Sequence, residues 1–349
     1  MGKRINFSCP MPEFDFDIIT LAHGSGGLLT NKLLEQGVFS LLSNEYLDQQ
    51  HDGAIFQLDG RVAFSTDSFV VSPITFPGGN IGDLAMNGTM NDLAMCGAVP
   101  KYISLGLIIE EGLKVEELWK LLESIKGISD AYDVKVVTGD TKVVERGKGD
   151  KIFINTSGIG MVKEKSNIGI DQIKAGDHIL VSGHIATHGM AIMSVREGLE
   201  FQTTLESDTQ YIGDVALELI DMFGDDIKFL RDPTRGGLAT VLNEIAGKLE
   251  LSIELEETSL PVLPEARSAC ELLGLDPIYV ANEGIFVLVV APDVSEKCLN
   301  FMKKNEKCGG AAKVGIASSD HPRKVIVKSP IGGRRVVSML VGEQLPRIC

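Results

Sequence analysis

The feature that most limits how this chain can fold is a switch of apolar period that recurs along it. Residues 102–109 are apolar enough for a buried strand. Val115, Leu118, Leu122, Ile125 and Ile128 then recur at helical spacing and mark one face of an amphipathic helix. Residues 134–138 and 152–157 again read as strands. Strand-length runs alternating with helical faces restrict the chain to α/β or α+β architectures, with helices covering a sheet. Toward the N-terminus the spacing predicts an apolar helical run over 28–42, strands at 62–69 and at Phe76, and a turn at 77–80. It also predicts a helix over 83–95, ending near Gly97 and Pro100.

A length of 349 residues suits two domains. Composition turns polar over 164–177, so the division is expected there, giving domains at 1–165 and 166–330. The second half reads as a strand at 179–182, helices near 190–196 and 238–249, and strands at 252–255 and 285–290. The halves are of similar size and each carries a glycine-rich acidic turn, which hints at duplication. Residues 331–349 finish with Leu345-Pro346-Arg347-Ile348-Cys349. Pro346 disfavours helix, and an extended, mobile tail is expected.

Charge excludes some functions. With a formal net charge of -15, the chain gains nothing from releasing phosphate counterions, so neither nucleic acid nor an anionic membrane is an expected partner. ATP is compatible, provided a divalent metal bridges carboxylates and phosphates. No run approaches the roughly 20 apolar residues that span a bilayer. Residues 1–20 carry Pro10, Pro12 and several acids rather than an apolar signal core, so a cytoplasmic protein is expected. The cysteines at 9, 96, 270, 298, 308 and 349 form no CxxC pair and are expected to be reduced.

Six groups of residues could carry chemistry. In His23-Gly24-Ser25-Gly26-Gly27, successive glycines let backbone N–H groups converge on phosphate; a mobile turn is the plainer alternative. Asp67, in Ser65-Thr66-Asp67-Ser68, precedes a helix on which Asp83, Asn87 and Asn91 stack on one face beside Asp92. A solvated face competes with that reading, although the helix is poor in Lys and Glu. In Thr138-Gly139-Asp140-Thr141-Lys142, an apolar strand is expected to end at an acid able to hold metal and a lysine able to neutralise phosphate; an ordinary turn is the alternative. Arg231-Asp232-Pro233-Thr234-Arg235-Gly236-Gly237 opens a helix whose free N–H groups attract anions, or which is simply well capped. Glu283, in Asn282-Glu283-Gly284 between apolar stretches, is either a buried acid or base or a surface turn. Cys349 is an unhindered thiol or an ordinary exposed cysteine. His184 and His188, at i and i+4, suit a structural or ligand-contact role better than a metal pair, because they sit in a glycine-rich turn.

In this order and spacing, the motifs from His23 to the final Pro-Arg-Ile-Cys resemble the HypE family of hydrogenase maturation factors. They include Ser-Thr-Asp-Ser-Phe-Val, Phe-Pro-Gly-Gly-Asn-Ile-Gly, Asn-Asp-Leu-Ala-Met, Thr-Gly-Asp-Thr-Lys, Arg-Asp-Pro-Thr-Arg-Gly-Gly and Ala-Asn-Glu-Gly. The family lies in the aminoimidazole ribonucleotide synthetase-like (PurM-like) superfamily, with selenophosphate synthetase and thiamine monophosphate kinase. The final Pro-Arg-Ile-Cys separates it from those relatives. The stretch before the glycine loop lies outside the resemblance.

The resemblance implies two α/β domains, the first pairing with its twin in a homodimer to join sheets into a β-barrel. It implies ATP and Mg2+, with the nucleotide near Gly24, Ser25, Gly26, Gly27, Asp67, Asp83, Asn91, Asp92, Thr141 and Asp232. Metal would fall to Asp67, Asp92 and Asp140, and catalysis to Cys349, Lys142, Glu283 and Arg235. The implied reaction dehydrates an S-carboxamide, placed on Cys349 by the carbamoyltransferase HypF, to a thiocyanate. The cyano group then passes to iron on a HypC–HypD complex for a [NiFe] hydrogenase. A small-molecule kinase of the same superfamily would have no use for Cys349, and a non-catalytic carrier would not need the acids.

Overall fold

The computed structural model describes residues 10–25, 27–49, 53–198, 205–340, 345 and 347–349. In the N-terminal half, β1 (Val62–Phe69) leads to helix α1 (Ile81–Met95), then β2 (Ala98–Glu110), α2 (Val115–Tyr132), β3 (Lys135–Val144) and β4 (Ile152–Val162). The sheet order is β1-β4-β2-β3; β2 and β3 are parallel, joined by the α2 crossover, and the other pairs are antiparallel. Asn80 caps α1, its side chain accepting from the N–H groups of Gly82 and Asp83, while Asp83 accepts from the Asn80 N–H at 2.8 Å. The helix is buried on nearly every side. That explains its shortage of Lys and Glu and rules out a solvated face.

Helices cover one face of this sheet, with Phe69, Leu84, Met86, Met90 and Ile103 in the core. The other face is bare: Phe64 is 68% exposed, and Val62 and Ile108 are each 44% exposed. Within the chain the described sheet is open, with edges at β1 and β3, and does not close into a barrel.

The C-terminal half is built on a seven-stranded sheet. Its strands are β5 (His178–Val181), β6 (Ile227–Arg231), β7 (Ser252–Glu256), β8 (Val287–Val290), β9 (Ala312–Ser318), β10 (Val325–Lys328) and β11 (Arg334–Val337). Their order is β11-β10-β7-β9-β5-β8-β6. Among its helices are α3 (Thr187–Arg196), α4 (Gly213–Phe223) and α5 (Gly237–Lys248). Helix α1 packs on α4, so one hydrophobic cluster runs through both halves. A second cluster lies beneath α5.

Three local expectations change. The strand expected to stop at Thr138 runs on to Val144, because parallel pairing with β2 hydrogen-bonds it as far as Glu110↔Val144. Gly139 permits this approach: a Cβ there would lie 2.2 Å from the Leu105 carbonyl oxygen. The tail expected from residue 331 begins instead with a strand, since Arg334–Val337 pairs with β10. The last residues do not hang free; Arg347–Cys349 are seated in a cleft between the halves. Pro346 lies outside the described residues.

Candidate functional site

The cleft has a volume of about 870 Å³. It gathers side chains from five distant segments. Asp67 comes from β1, Asp92 from α1, Asp232 and Arg235 from the turn between β6 and α5, Glu283 from the turn before β8, and Cys349 from the chain end.

Three aspartates share this space. Ser65 Oγ donates to Asp92 at 2.6 Å. Burial holds the Asp67 and Asp92 carboxyls above their ordinary range. Asp232 is pushed up to about 7, first by burial and then by the Asp92 charge beside it. Nearby Arg231 is engaged with Glu244 at 3.2 Å. Like charges in a dehydrated cleft share protons unless a cation arrives. Because the folded state holds the Asp232 proton that the unfolded state releases near 3.8, native stability falls as pH rises through about 7. Asp232→Asn removes that loss. The thermal midpoint of the variant, relative to wild type, is therefore expected to climb between about pH 4 and pH 7. A constant difference would show that Asp232 does not retain its proton.

Glu283 is 4% exposed, and its Oε1 has no hydrogen-bond partner among the described residues. Burial, then the charges of Asp232 and Asp208, raise its carboxyl well above the usual range. Asp208 lies behind it, accepting the Glu283 backbone N–H at 3.1 Å, and is itself pushed up to about 6 by burial. Cys349 faces Glu283. Its Sγ accepts from Arg235 Nε at 3.3 Å, and burial with the Glu283 charge pushes the thiol up to about 12. The sulfur therefore favours the S–H form here, held between the Arg235 guanidinium and the Glu283 carboxyl group.

The chain end is seated by backbone pairing. Residues 70–72 follow β1 with free N–H groups; Val70 donates to the Cys349 oxygen at 3.1 Å and Ser72 to the Arg347 oxygen at 3.3 Å. This is strand addition, in which main-chain bonds supply affinity.

Other expected residues stand elsewhere. Gly24, Asp140, Thr141 and Lys142 line a separate cavity of about 220 Å³ with Leu34 and Val38. A Cβ on Gly24 would meet the Val143 nitrogen at 2.5 Å, so the glycine loop is laid directly on β3. Ser25 Oγ donates to the Ala22 oxygen at 3.0 Å, Gly27 caps the following helix, and Gly26 lies outside the described residues. Asp140 and Lys142 pair at 2.5 Å on the exposed face of β3. In register, Asp67 pairs with Thr156, Thr156 with Leu105, and Leu105 with Gly139. Three strand spacings, roughly 14 Å, thus separate Asp67 from the neighbour of Asp140. The expected metal trio of Asp67, Asp92 and Asp140 is not assembled within one chain, and Lys142 does not stand beside Cys349. Among the described residues, no three His, Cys, Asp or Glu side chains form a metal-holding group.

Asn91, expected at the nucleotide, is instead buried between the halves. It donates to the Gln210 oxygen at 3.0 Å and accepts the Ile212 N–H at 2.9 Å. Asp83 serves the α1 cap. Asp208 was not legible in the sequence, since Asp208-Thr209-Gln210 carries no local pattern; only folding brings it behind Glu283.

Residues 50–162 match the family "AIR synthase related protein, N-terminal domain", and 174–328 match its C-terminal domain. The chain is 45% identical over 332 residues to "Carbamoyl dehydratase HypE" of Azotobacter vinelandii, covering 95% of this chain and 97% of the relative. It superposes on a crystal structure of hydrogenase maturation protein HypE in complex with ATP with a TM-score of 0.90, at 42% identity, covering 94% of this chain and 99% of that one. Against a chain of a HypE–HypF complex the TM-score is 0.78, at 43% identity, covering 88% and 99%. Motif order, the two-domain fold and coverage of nearly the whole of each relative agree, and the chain belongs to the HypE family of carbamoyl dehydratases.

Proposed function

We propose that this chain uses ATP to remove the elements of water from an S-carboxamide on Cys349, leaving a thiocyanate, and donates the cyano group to iron during [NiFe]-hydrogenase maturation. The observation that carries this reading is the burial of the Cys349 sulfur against Arg235 and Glu283, in the cleft where the acids converge. A relative of 43% identity is known in complex with HypF, which supports HypF as the carbamoyl donor; a HypC–HypD complex is the proposed acceptor.

The chemistry balances as follows. The carboxamide oxygen attacks the γ-phosphorus of ATP, the new O–P bond forms and ADP leaves. The C–O bond then breaks, phosphate carries away the oxygen, and the nitrogen gives up both protons as the C≡N bond forms. Arg235 stabilises negative charge next to the sulfur. Glu283 takes a proton from nitrogen: a carboxylate that binds its proton this tightly is a strong base once ionised. Closure of the docked end over the cleft excludes water from the activated intermediate. Sulfur this buried must leave its seat to be carbamoylated, so the end alternates between two positions.

One buried carboxyl, Asp232, and two half-buried ones, Asp67 and Asp92, line one cleft without being drawn into a metal-holding group among the described residues, and nearby Arg231 is already paired. Asp67, Asp92 and Asp232 would hold Mg2+, which would neutralise the phosphates. The glycine loop, with Asp140, Thr141 and Lys142, forms a second candidate nucleotide contact.

The bare face of the N-terminal sheet is the proposed homodimer surface, since an apolar sheet face of this kind marks an interface. Phe64→Asp is expected to convert a sedimenting dimer into a monomer; a monomeric wild type would dispose of the dimer. The described helices include none long and apolar enough to cross a membrane, and a reduced Cys349 suits the cytoplasm.

Intact-mass measurement tests the reaction. The chain is incubated with HypF, carbamoyl phosphate, Mg2+ and ATP, beside a Cys349→Ala control. Gain of a carbamoyl group followed by ATP-dependent loss of one water, both absent from the control, is expected. An unchanged mass while ATP is consumed would instead indicate a small-molecule kinase.

A further inference from the structure

The tripeptide that carries the reacting sulfur is gripped at more points than strand pairing alone. The Arg347 guanidinium meets Asp150 at 2.7 Å, lies 5.6 Å over the Phe153 ring, and donates to the Val70 oxygen at 3.1 Å. Arg196 donates to the Ser72 and Arg347 oxygens, clamping both sides of the paired segments.

The deepest contact belongs to a residue that the proposed mechanism leaves unused. His188, in the first turn of α3, is completely buried. Its Nε2 lies 2.9 Å from the Ile348 carbonyl oxygen, and its Nδ1 lies 2.7 Å from Ser207 Oγ. A carbonyl can only accept, so Nε2 carries the hydrogen. Nδ1 must then accept from Ser207, whose Oγ in turn accepts the Thr209 N–H at 3.1 Å. Phe76 closes the pocket edge-on at 5.7 Å, and Ser207 is tied to the N-terminal half through its N–H to the Pro77 oxygen at 2.8 Å. Both halves therefore fix the ring and its tautomer, aiming one N–H at the peptide group next to Cys349.

We infer that His188 is a positioning residue for the reaction at Cys349: its Nε2–H seats the Ile348 carbonyl and thereby sets where the sulfur sits against Arg235 and Glu283. The inference rests on the proposed dehydration for its consequence, but not for its contact. When the chain end departs, a buried N–H loses its partner, and an unmade buried hydrogen bond favours the end's return. The ring is neutral, since burial pushes it down to about 4. The contact is thus present across the physiological range and acts by geometry rather than by charge.

Iodoacetamide labelling of the full chain, resolved by peptide mass mapping, tests the contact without ATP or partners. Exposed Cys96 serves as the reference thiol in the same molecule. His188→Ala is expected to raise Cys349 labelling relative to Cys96 by roughly tenfold. His188→Gln keeps an N–H donor of similar reach and is expected to return labelling to within about threefold of wild type. After carbamoylation, water loss should slow in His188→Ala and recover in His188→Gln, while carbamoylation itself, which needs the chain end out of its seat, is not slowed. A cooperatively folded His188→Ala with wild-type labelling overturns the inference. If that variant does not fold, Ser207→Ala decides: it leaves the ring in place but frees its tautomer, and unchanged labelling then overturns the inference equally. Wild-type protein that never loses water, yet shows the labelling difference, would overturn the dehydration reading and leave the His188 contact standing.

Discussion

Glu283→Gln lowers the rate of ATP-dependent water loss from carbamoylated Cys349 by about 10²–10⁴-fold, the range that a positioned proton acceptor contributes. The amide keeps the shape of the side chain and leaves the backbone N–H to Asp208 intact, so carbamoylation and folding should survive. Stability relative to wild type should rise with increasing pH rather than fall. In the unfolded chain the Glu283 carboxyl titrates near its ordinary value of 4.5, whereas the folded chain holds the proton well above it. The native state therefore binds more protons over that window, and wild-type stability is lost as pH rises through it. Glutamine cannot ionise and escapes the loss. Single-turnover mass measurements and thermal midpoints across about pH 5–8 read both effects. A wild-type rate in Glu283→Gln would remove the residue from the mechanism.

Gly284→Ala is expected to destabilise the protein by roughly 3 kcal/mol or more and to abolish turnover together with it. A Cβ at this position would lie 1.7 Å from the Asp208 carbonyl oxygen and 2.9 Å from Gln210 Cγ. The nearest obstacle is backbone, so no rotamer change relieves the clash. The segment holding Glu283 must shift, which strains the Glu283 N–H to Asp208 bond, the 3.0 Å bond from Gln210 Nε2 to the Gly284 oxygen, and the contact of Asn91 with the Glu283 oxygen. One methyl group thus disturbs the candidate base and the joint between the halves at once. Gly127→Ala on α2 provides the contrast: nothing lies within 4 Å of the added carbon, and a gain of about 0.5–1 kcal/mol is expected from helix propensity. Denaturant midpoints of the two variants should move in opposite directions. Equal midpoints would show that the Glu283 turn has room to adjust.

Much of this protein could be read from residue order. The alternation of strand-length runs with helical faces required helices over a sheet, because apolar period is set by the chain's own geometry. Glycines at 24 and 139, acids at 67, 92 and 232, and the Asn282-Glu283-Gly284 turn could be singled out because each departs from what an apolar run or surface loop needs. Their order carried the family resemblance.

What the sequence left open depends on partners distant along the chain. Whether residues 139–144 turn or continue as a strand was decided by β2, whose free edge supplied the hydrogen bonds. The acids divided into two places because Asp140 lies three strands from Asp67 in register. Asn91 became a joint between halves because Gln210 and Ile212 met it there. Asp208 and His188 gained their roles only when Glu283 and Ile348 were brought against them. The sequence by itself determined the architecture and which residue types were out of place, since both follow from local period and solvation. Only the tertiary structure decided which of those residues share a cleft, because burial, register and the pairing of Arg347–Cys349 with residues 70–72 are set between segments that no local pattern connects.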